Sequence, residues 1–274
     1  MRMNNRSDAG PFLVTKEHRR FVEFCDACRR YGYIGICFGV PGVGKTRSAR
    51  VYAHWDRIEP CLPTRAESRR WPKLRPSQMR TVLYTPNVVN SPKRIRDQIS
   101  ELRAYLLSFI YDRVAEQKPQ ASPSDSYKRL RQRELILVDE ADRLQMNGLE
   151  EIRDLYDRSD MAVVFLGLPG IEKRLARYPQ LYSRVGFVHH LKPLSHEEMQ
   201  VVLQHKWQQL ELALDGDVLD AEAVAAITRI TGGNFRLIQR LFSQMERVMQ
   251  INQLHAVTRE VVEAARELLV IGPT

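Results

Sequence analysis

Three groups of residues in this chain have the types and spacing to do chemistry at a phosphate. The first is Gly39-Val40-Pro41-Gly42-Val43-Gly44-Lys45-Thr46, with the spacing G-x-x-x-x-G-K-[ST]. Its glycines let the backbone wrap close to phosphate oxygens, and a helix starting there adds N–H donors and a positive dipole end. Lys45 is then placed to reach the β- and γ-phosphates of ATP, and the Thr46 hydroxyl to ligate Mg²⁺. The second group is Asp139-Glu140, an acidic pair closing the apolar run Leu135-Ile136-Leu137-Val138. Asp139 is the candidate for the Mg²⁺ shell and Glu140 the candidate general base that orients water. The third is Lys93, Arg94 and Arg96, just after Ser91-Pro92, an N-cap with proline at the first helical position. Cations at a helix start can pair with DNA phosphates without reading bases.

The elements that must position these groups alternate along the chain. An apolar run at 33–38 leads into Gly39 as a short strand, and a helical pattern follows Thr46 to about Trp55. A helix is read at 15–30, ahead of that strand. Further strands are read at 81–85, 135–138, 161–166 and 185–188, with helices at 91–115, 149–156 and 171–178 between them. Asp142 reads as the acidic N-cap of the helix at 149–156. Strands separated by helices predict an α/β fold with a five-stranded parallel sheet and right-handed crossovers. Ligands bind such sheets at the strands' carboxyl ends, so the glycine-rich loop and Asp139-Glu140 should face each other.

After Pro193 only helices are read. Ser195-His196-Glu197-Glu198 is a capping box opening a helix to about Leu212, and three more follow at 220–230, 234–250 and 258–270. The expected organisation is a tail at 1–14, an α/β core at 15–193 and a small all-helical domain at 194–274. Residues 57–80 interrupt the core as a basic insertion broken by Pro60, Pro63, Pro72 and Pro76, with Trp71, its one aromatic, read as packing. A short basic helix holds Lys128, Arg129, Arg131 and Arg133. Both basic stretches are secondary candidates for a DNA or protein partner.

Across 274 residues, 42 Lys and Arg stand against 33 Asp and Glu, a formal charge of +9. That excess is the footprint expected of a polyanion partner. The 43% hydrophobic content suits a globular core. No apolar run approaches the roughly 20 residues of a membrane span, and no apolar segment follows the N-terminus as a secretory signal requires. The expectation is a cytoplasmic protein without a membrane partner. Cys25 and Cys28 form one C-x-x-C with no second ligand pair; with Cys37 and Cys61 they read as reduced structural cysteines. His189-His190 reads as structural for the same reason.

Gly39 to Thr46, the run Leu135 to Arg143 and the C-terminal helices together resemble an AAA+ ATPase over residues 15–270. The resemblance implies a P-loop core followed by a helical lid, with hydrolysis of ATP to ADP and phosphate. It places a sensor-2 arginine at Arg236, within Thr231-Gly232-Gly233-Asn234-Phe235-Arg236, where it would contact the nucleotide. It implies an arginine finger given to a neighbouring subunit, with Arg184 first and Arg177 in reserve. The sequence departs from the pattern at sensor-1, because Phe165-Leu166-Gly167-Leu168-Pro169 carries no polar side chain; a slow, switch-like ATPase follows. Within AAA+, the short length, Asp139-Glu140-Ala141-Asp142-Arg143 and Gly167-Leu168-Pro169 resemble the transposition regulators TnsC, TniB and MuB. That likeness implies a homo-oligomer, ring or helical filament, formed with ATP on double-stranded DNA, which selects the target and recruits a transposase, with a target-selector protein as a further partner. Lys93 is the position that best matches their DNA-facing helix. A replication initiator or helicase loader, and a protein-binding secretion ATPase, share the core and stay open; the +9 charge argues against the latter.

Overall fold

A computed structural model describes residues 12–62, 71–117, 133–209, 221–254 and 256–269. Five short strands form one sheet: β1 (Ile34–Phe38), β2 (Thr81–Tyr84), β3 (Glu134–Val138), β4 (Met161–Gly167) and β5 (Val185–His190). They pair in the order β2-β3-β4-β1-β5, every pair parallel, as the alternation of elements predicts. Strands β2, β3 and β4 bury every residue, which a parallel sheet needs when helices cover both faces. Strand β5, at one edge, alternates between half-buried and exposed residues, whereas β2 at the other edge is buried throughout. Phe38 lies opposite Gly167, and Tyr84 opposite Val138. The strands therefore finish at a common edge, and the loops after β1, β3 and β4 leave it side by side.

The helices of this unit are α1 (Lys16–Tyr31), α2 (Lys45–Tyr52), α3 (Trp55–Ile58), α4 (Pro92–Gln117), α5 (Met146–Asp157), α6 (Ile171–Leu175) and α7 (Pro179–Tyr182). Two depart from the sequence expectation. Helix α5 starts three residues early, with Gln145 rather than Asp142 as its N-cap. The helix expected at 171–178 stops at Leu175, because Pro179 restricts the residue before it and starts the separate turn α7. In the basic insertion, Trp71 packs 5.2 Å from Tyr105 and 5.4 Å from Phe109, and Ile58 is fully buried. The remainder, residues 63–70, lies outside the described residues, as do Lys128, Arg129 and Arg131. Arg133 is a structural staple instead of a free cation: it pairs with Asp160 at 2.5 Å and donates to the carbonyls of Arg29 and Arg30.

Cys25, Cys28 and Cys37 are fully buried, and burial pushes the Cys28 thiol up to about 12. They serve as small apolar residues in the core. His189 stacks on Phe24 and His190 on Phe38.

The chain divides into two compact units, Arg20–Leu191 around the sheet and a helical unit joining the residues up to Arg19 with those from Lys192. The helical unit holds α8 (His196–Gln209), α9 (Ala221–Thr231), α10 (Phe235–Asn252) and α11 (Arg259–Glu267) around Leu203, Ile227, Leu241, Met245 and Val262. The capping box forms: Glu198 N donates to Ser195 Oγ at 3.3 Å, and Ser195 N to Glu198 Oε2 at 3.1 Å. Glu198 also accepts from Lys16 N at 2.7 Å. Burial would raise this carboxyl, but the N–H groups of Ser195 and Lys16 outweigh it and hold it below the ordinary glutamate range.

Candidate functional site

The loop after β1 takes the conformation its glycines permit. Gly42 (φ 88°) and Gly44 (φ 101°) sit in the left-handed region, and Gly44 is the N-cap from which α2 begins at Lys45. Gly39 is needed for a different reason: a Cβ there would lie 2.4 Å from the Leu191 carbonyl. The Lys45 ammonium turns back into the loop and donates to the carbonyls of Gly39 and Val40. Gly39 N donates to Gly167 O at 3.4 Å, which fastens the loop to the tip of β4.

The sheet brings Asp139 to this loop. Its side chain is 3% exposed and hydrogen-bonded to the Thr46 hydroxyl, and its N–H donates to Tyr84 O at 2.8 Å. Burial raises the Asp139 carboxyl; the bond to Thr46 and the charge of Lys45 oppose that only in part. A cation at this spot would recover the ionised form. A hard carboxylate and a hydroxyl are the donors Mg²⁺ takes when phosphates and waters complete its shell. Glu140 follows in a left-handed conformation (φ 50°), which swings its carboxylate out of the strand line. Arg143 engages that carboxylate through Nη2.

Asp142 serves the tip of β4. Its Oδ2 accepts from Leu168 N at 2.8 Å, and a Cβ on Gly167 would lie 2.7 Å from the same oxygen. At Gly167 the carboxylate of Asp142 and the side chain of Ile171 occupy the space a side chain would need. Arg174, which the sequence did not single out, donates to the carbonyls of Asp142 and Leu144 and fixes this turn from α6. Its signal was weak, since a lone arginine on a short helix has no local pattern. Arg143 did have one, standing directly after Asp139-Glu140-Ala141-Asp142.

The remaining candidates separate by what holds them. Ser91 caps α4 as expected, with Arg94 N donating to its hydroxyl at 3.3 Å, and Lys93 and Arg94 are exposed. Arg96 is instead held by the Glu151 carboxylate, with Nη2 to Oε2 at 3.0 Å and Asp154 beside it. Arg184 is likewise committed within the chain, to Asp157 at 2.5 and 2.7 Å. That guanidinium holds the Asp157 carboxyl below its ordinary range. Arg177 is exposed and has no side-chain ion pair among the described residues. In the helical unit, Asn234 caps α10 by accepting from Arg236 N at 3.1 Å and Leu237 N at 3.3 Å, and Arg236 is exposed at the first turn. Gly232 and Gly233, both left-handed, make the bend before it.

Residues 28–175 match a family described as AAA domain. A Staphylococcus aureus protein, "Potential ATP-binding protein", is 44% identical over 271 residues, covering 95% of this chain and 97% of that one. Two solved structures share the fold at low identity. One is Aeropyrum pernix ORC1 in complex with DNA, 20% identical, TM-score 0.54, spanning 96% of this chain and 68% of that one. The other is the Thermotoga maritima RuvB Holliday junction branch migration motor, 14% identical, TM-score 0.54, spanning 94% and 70%. The family match covers the glycine-rich loop, the acidic pair and four of the five strands that position them, and the chain belongs to the AAA domain family.

Proposed function

We propose that this chain binds ATP with Mg²⁺ at the carboxyl edge of its sheet and hydrolyses it slowly, as an oligomer on double-stranded DNA. The observation that carries the reading is the buried Asp139 carboxylate, bonded to the Thr46 hydroxyl and charge-coupled to Lys45. Thr46 and Asp139 would hold the cation, which neutralises charge on phosphate oxygens when bound. Lys45 binds phosphate in place of the Gly39 and Val40 carbonyls it now touches, and the N–H groups from Gly42 to Thr46 complete the cradle. Glu140 orients the attacking water and accepts its proton. By the family likeness Arg236, exposed at the start of α10, is the sensor-2 candidate. For the finger, Arg177 is the better placed of the two arginines, since Arg184 would first have to leave Asp157.

Binding to DNA is supported by the +9 charge and by exposed Lys93 and Arg94 at the start of α4. The relatives in complex with DNA or acting on a Holliday junction are consistent with it. Contacts of this kind grip phosphates and give no sequence preference. Together with the likeness to TnsC, TniB and MuB, this supports reading the chain as a regulator of DNA transposition that marks a target and recruits a transposase. Phosphate release with MgATP, with and without duplex DNA, tests the reading. Turnover should rise with duplex, and Glu140→Gln should lower it by about 10²–10⁴-fold while nucleotide binding persists. Electron microscopy with a non-hydrolysable ATP analogue should show rings or filaments on duplex. Monodisperse monomers under every condition would overturn the assembly, and a Glu140→Gln protein with full turnover would overturn the catalytic assignment.

A further inference from the structure

The helical unit uses its arginines in two ways. Arg229 and Arg266 share the Glu263 carboxylate, at 2.5 and 3.4 Å, and Arg259 lies 3.6 Å from that of Glu222. Arg236, Arg240 and Arg247 of α10 have no ion pair among the described residues. Helix α10 buries Ile238, Leu241, Phe242, Met245 and Met249. Its opposite stripe, stepping by three and four residues, is Arg236, Gln239, Arg240, Ser243, Arg247 and Gln250, every one exposed. The stripe carries no carboxylate. Ser243, small and with its hydroxyl bonded back to Gln239 O at 3.1 Å, stands between Arg240 and Arg247. A cavity of about 580 Å³ opens beside the first half of the stripe, walled by Arg236, Gln239, Arg240, Ser243, Gln244 and Leu269.

We propose that Arg240 and Arg247 grip backbone phosphates of duplex DNA, which makes this stripe of α10 a DNA-contacting surface of the helical unit in its own right. The proposal rests on the reading of the chain as a duplex-binding protein and goes beyond it, since that reading places DNA only at the start of α4. Charge complementarity selects the occupant. A guanidinium is a donor-only planar fork that matches the oxygens of a phosphate. The amides of Gln239 and Gln250 add neutral donors along the same line, and arginine with glutamine is the chemistry of backbone contacts. Arg240 and Arg247 stand two helical turns apart, about 10.5 Å along the axis. Each strand of a duplex offers a phosphate roughly every 3.4 Å of its axis, so the two arginines reach separate phosphates. Unlike Arg229, Arg259 and Arg266, neither has to leave a carboxylate first.

The test is fluorescence anisotropy of the full chain on random-sequence duplex, with a non-hydrolysable ATP analogue, across a salt series. Arg240→Ala with Arg247→Ala should flatten the slope of log Kobs against log salt by about 1.8, from roughly 0.9 per phosphate contact, and weaken binding equally on duplexes of different sequence. Arg240→Lys with Arg247→Lys keeps the charge and should keep the slope. Arg229→Ala with Arg266→Ala removes as many charges from the paired arginines and should also leave the slope at the wild-type value. An equal fall in both alanine pairs would make net charge alone responsible and overturns the proposal. So does a wild-type slope in Arg240→Ala with Arg247→Ala, which would show a stripe that meets only solvent. Nucleotide affinity of that variant should be unchanged; its loss beside intact duplex binding would assign the stripe to the nucleotide and overturns the proposal too. Both arginines are exposed and unpaired, so its melting temperature should match the wild type. If the wild type binds no duplex, the underlying reading fails and the proposal with it; if the wild type binds and Lys93→Glu with Arg94→Glu loses affinity, the Arg240 and Arg247 variants judge the proposal alone.

Discussion

Gly167→Ala probes the point where three parts of the site meet. Gly167 ends β4, accepts from Gly39 N of the glycine-rich loop, and faces Asp142 of the turn that carries Glu140. A methyl group there would lie 2.7 Å from Asp142 Oδ2 and 2.5 Å from Ile171 Cδ1, both well inside contact distance. Ile171 is 2% exposed, so its side chain can yield only by repacking against its neighbours. The Asp142 carboxylate can swing aside only by leaving Leu168 N, which it now holds at 2.8 Å. Overpacking of this kind costs about 1–3 kcal/mol, and losing a hydrogen bond to a charged acceptor about 1.5–3 kcal/mol. The swing that relieves the clash is what breaks the bond, so the two overlap and the expected loss is about 2–4 kcal/mol. Urea denaturation followed by tryptophan fluorescence measures it. A Trp207→Phe background leaves Trp55 and Trp71, both in the sheet unit, as the reporters. Displacing Asp142 also displaces Glu140 two residues away, so kcat should fall by about 10- to 100-fold. A loss below about 1 kcal/mol with full turnover would show that Asp142 does not fix the tip of β4.

Two further expectations follow from the charged groups. Reversing Lys93 and Arg94 together should flatten the dependence of log Kobs on log salt by about 1.8, from roughly 0.9 per phosphate contact, whereas Arg96→Ala should leave duplex binding intact and lower stability by stranding Glu151; the reverse pattern in a salt titration would refute the assignment. Glu198 is held below its ordinary value in the folded state, so its stabilisation is complete above about pH 4.3 and is lost as pH falls through the lower folded value. Glu198→Gln should therefore remove stability at neutral pH and flatten the acid limb of a melting-temperature profile, and an unchanged limb would show that the capping box and Lys16 N do not depress this carboxyl.

The fold and the centre of the site were legible in the sequence because the interactions behind them are local. The G-x-x-x-x-G-K-[ST] spacing sets a backbone path through Gly42 and Gly44 that needs no distant contact. The runs at 34–38, 135–138 and 161–167 carry no charged residue because both faces of a parallel strand are covered. Ser91, Ser195 and Asn234 cap helices through bonds two or three residues away.

The arginines were not legible, since a cation's role depends on which carboxylate the sheet order brings to it. Arg96 meets Glu151, Arg133 meets Asp160 and Arg184 meets Asp157, partners 55, 27 and 27 residues away. In the sequence each looked as free as Lys93, Arg94 or Arg177. Asp142 misled in the same way: its local setting suited a helix cap, and its partner is the N–H at the tip of β4, 26 residues on. The sequence by itself determined the phosphate loop, the acidic pair and the sheet, all carried by short-range backbone geometry and by burial pattern. Only the tertiary structure decided which charges are spent inside the molecule and which remain for a ligand, because pairing is settled by distance in space.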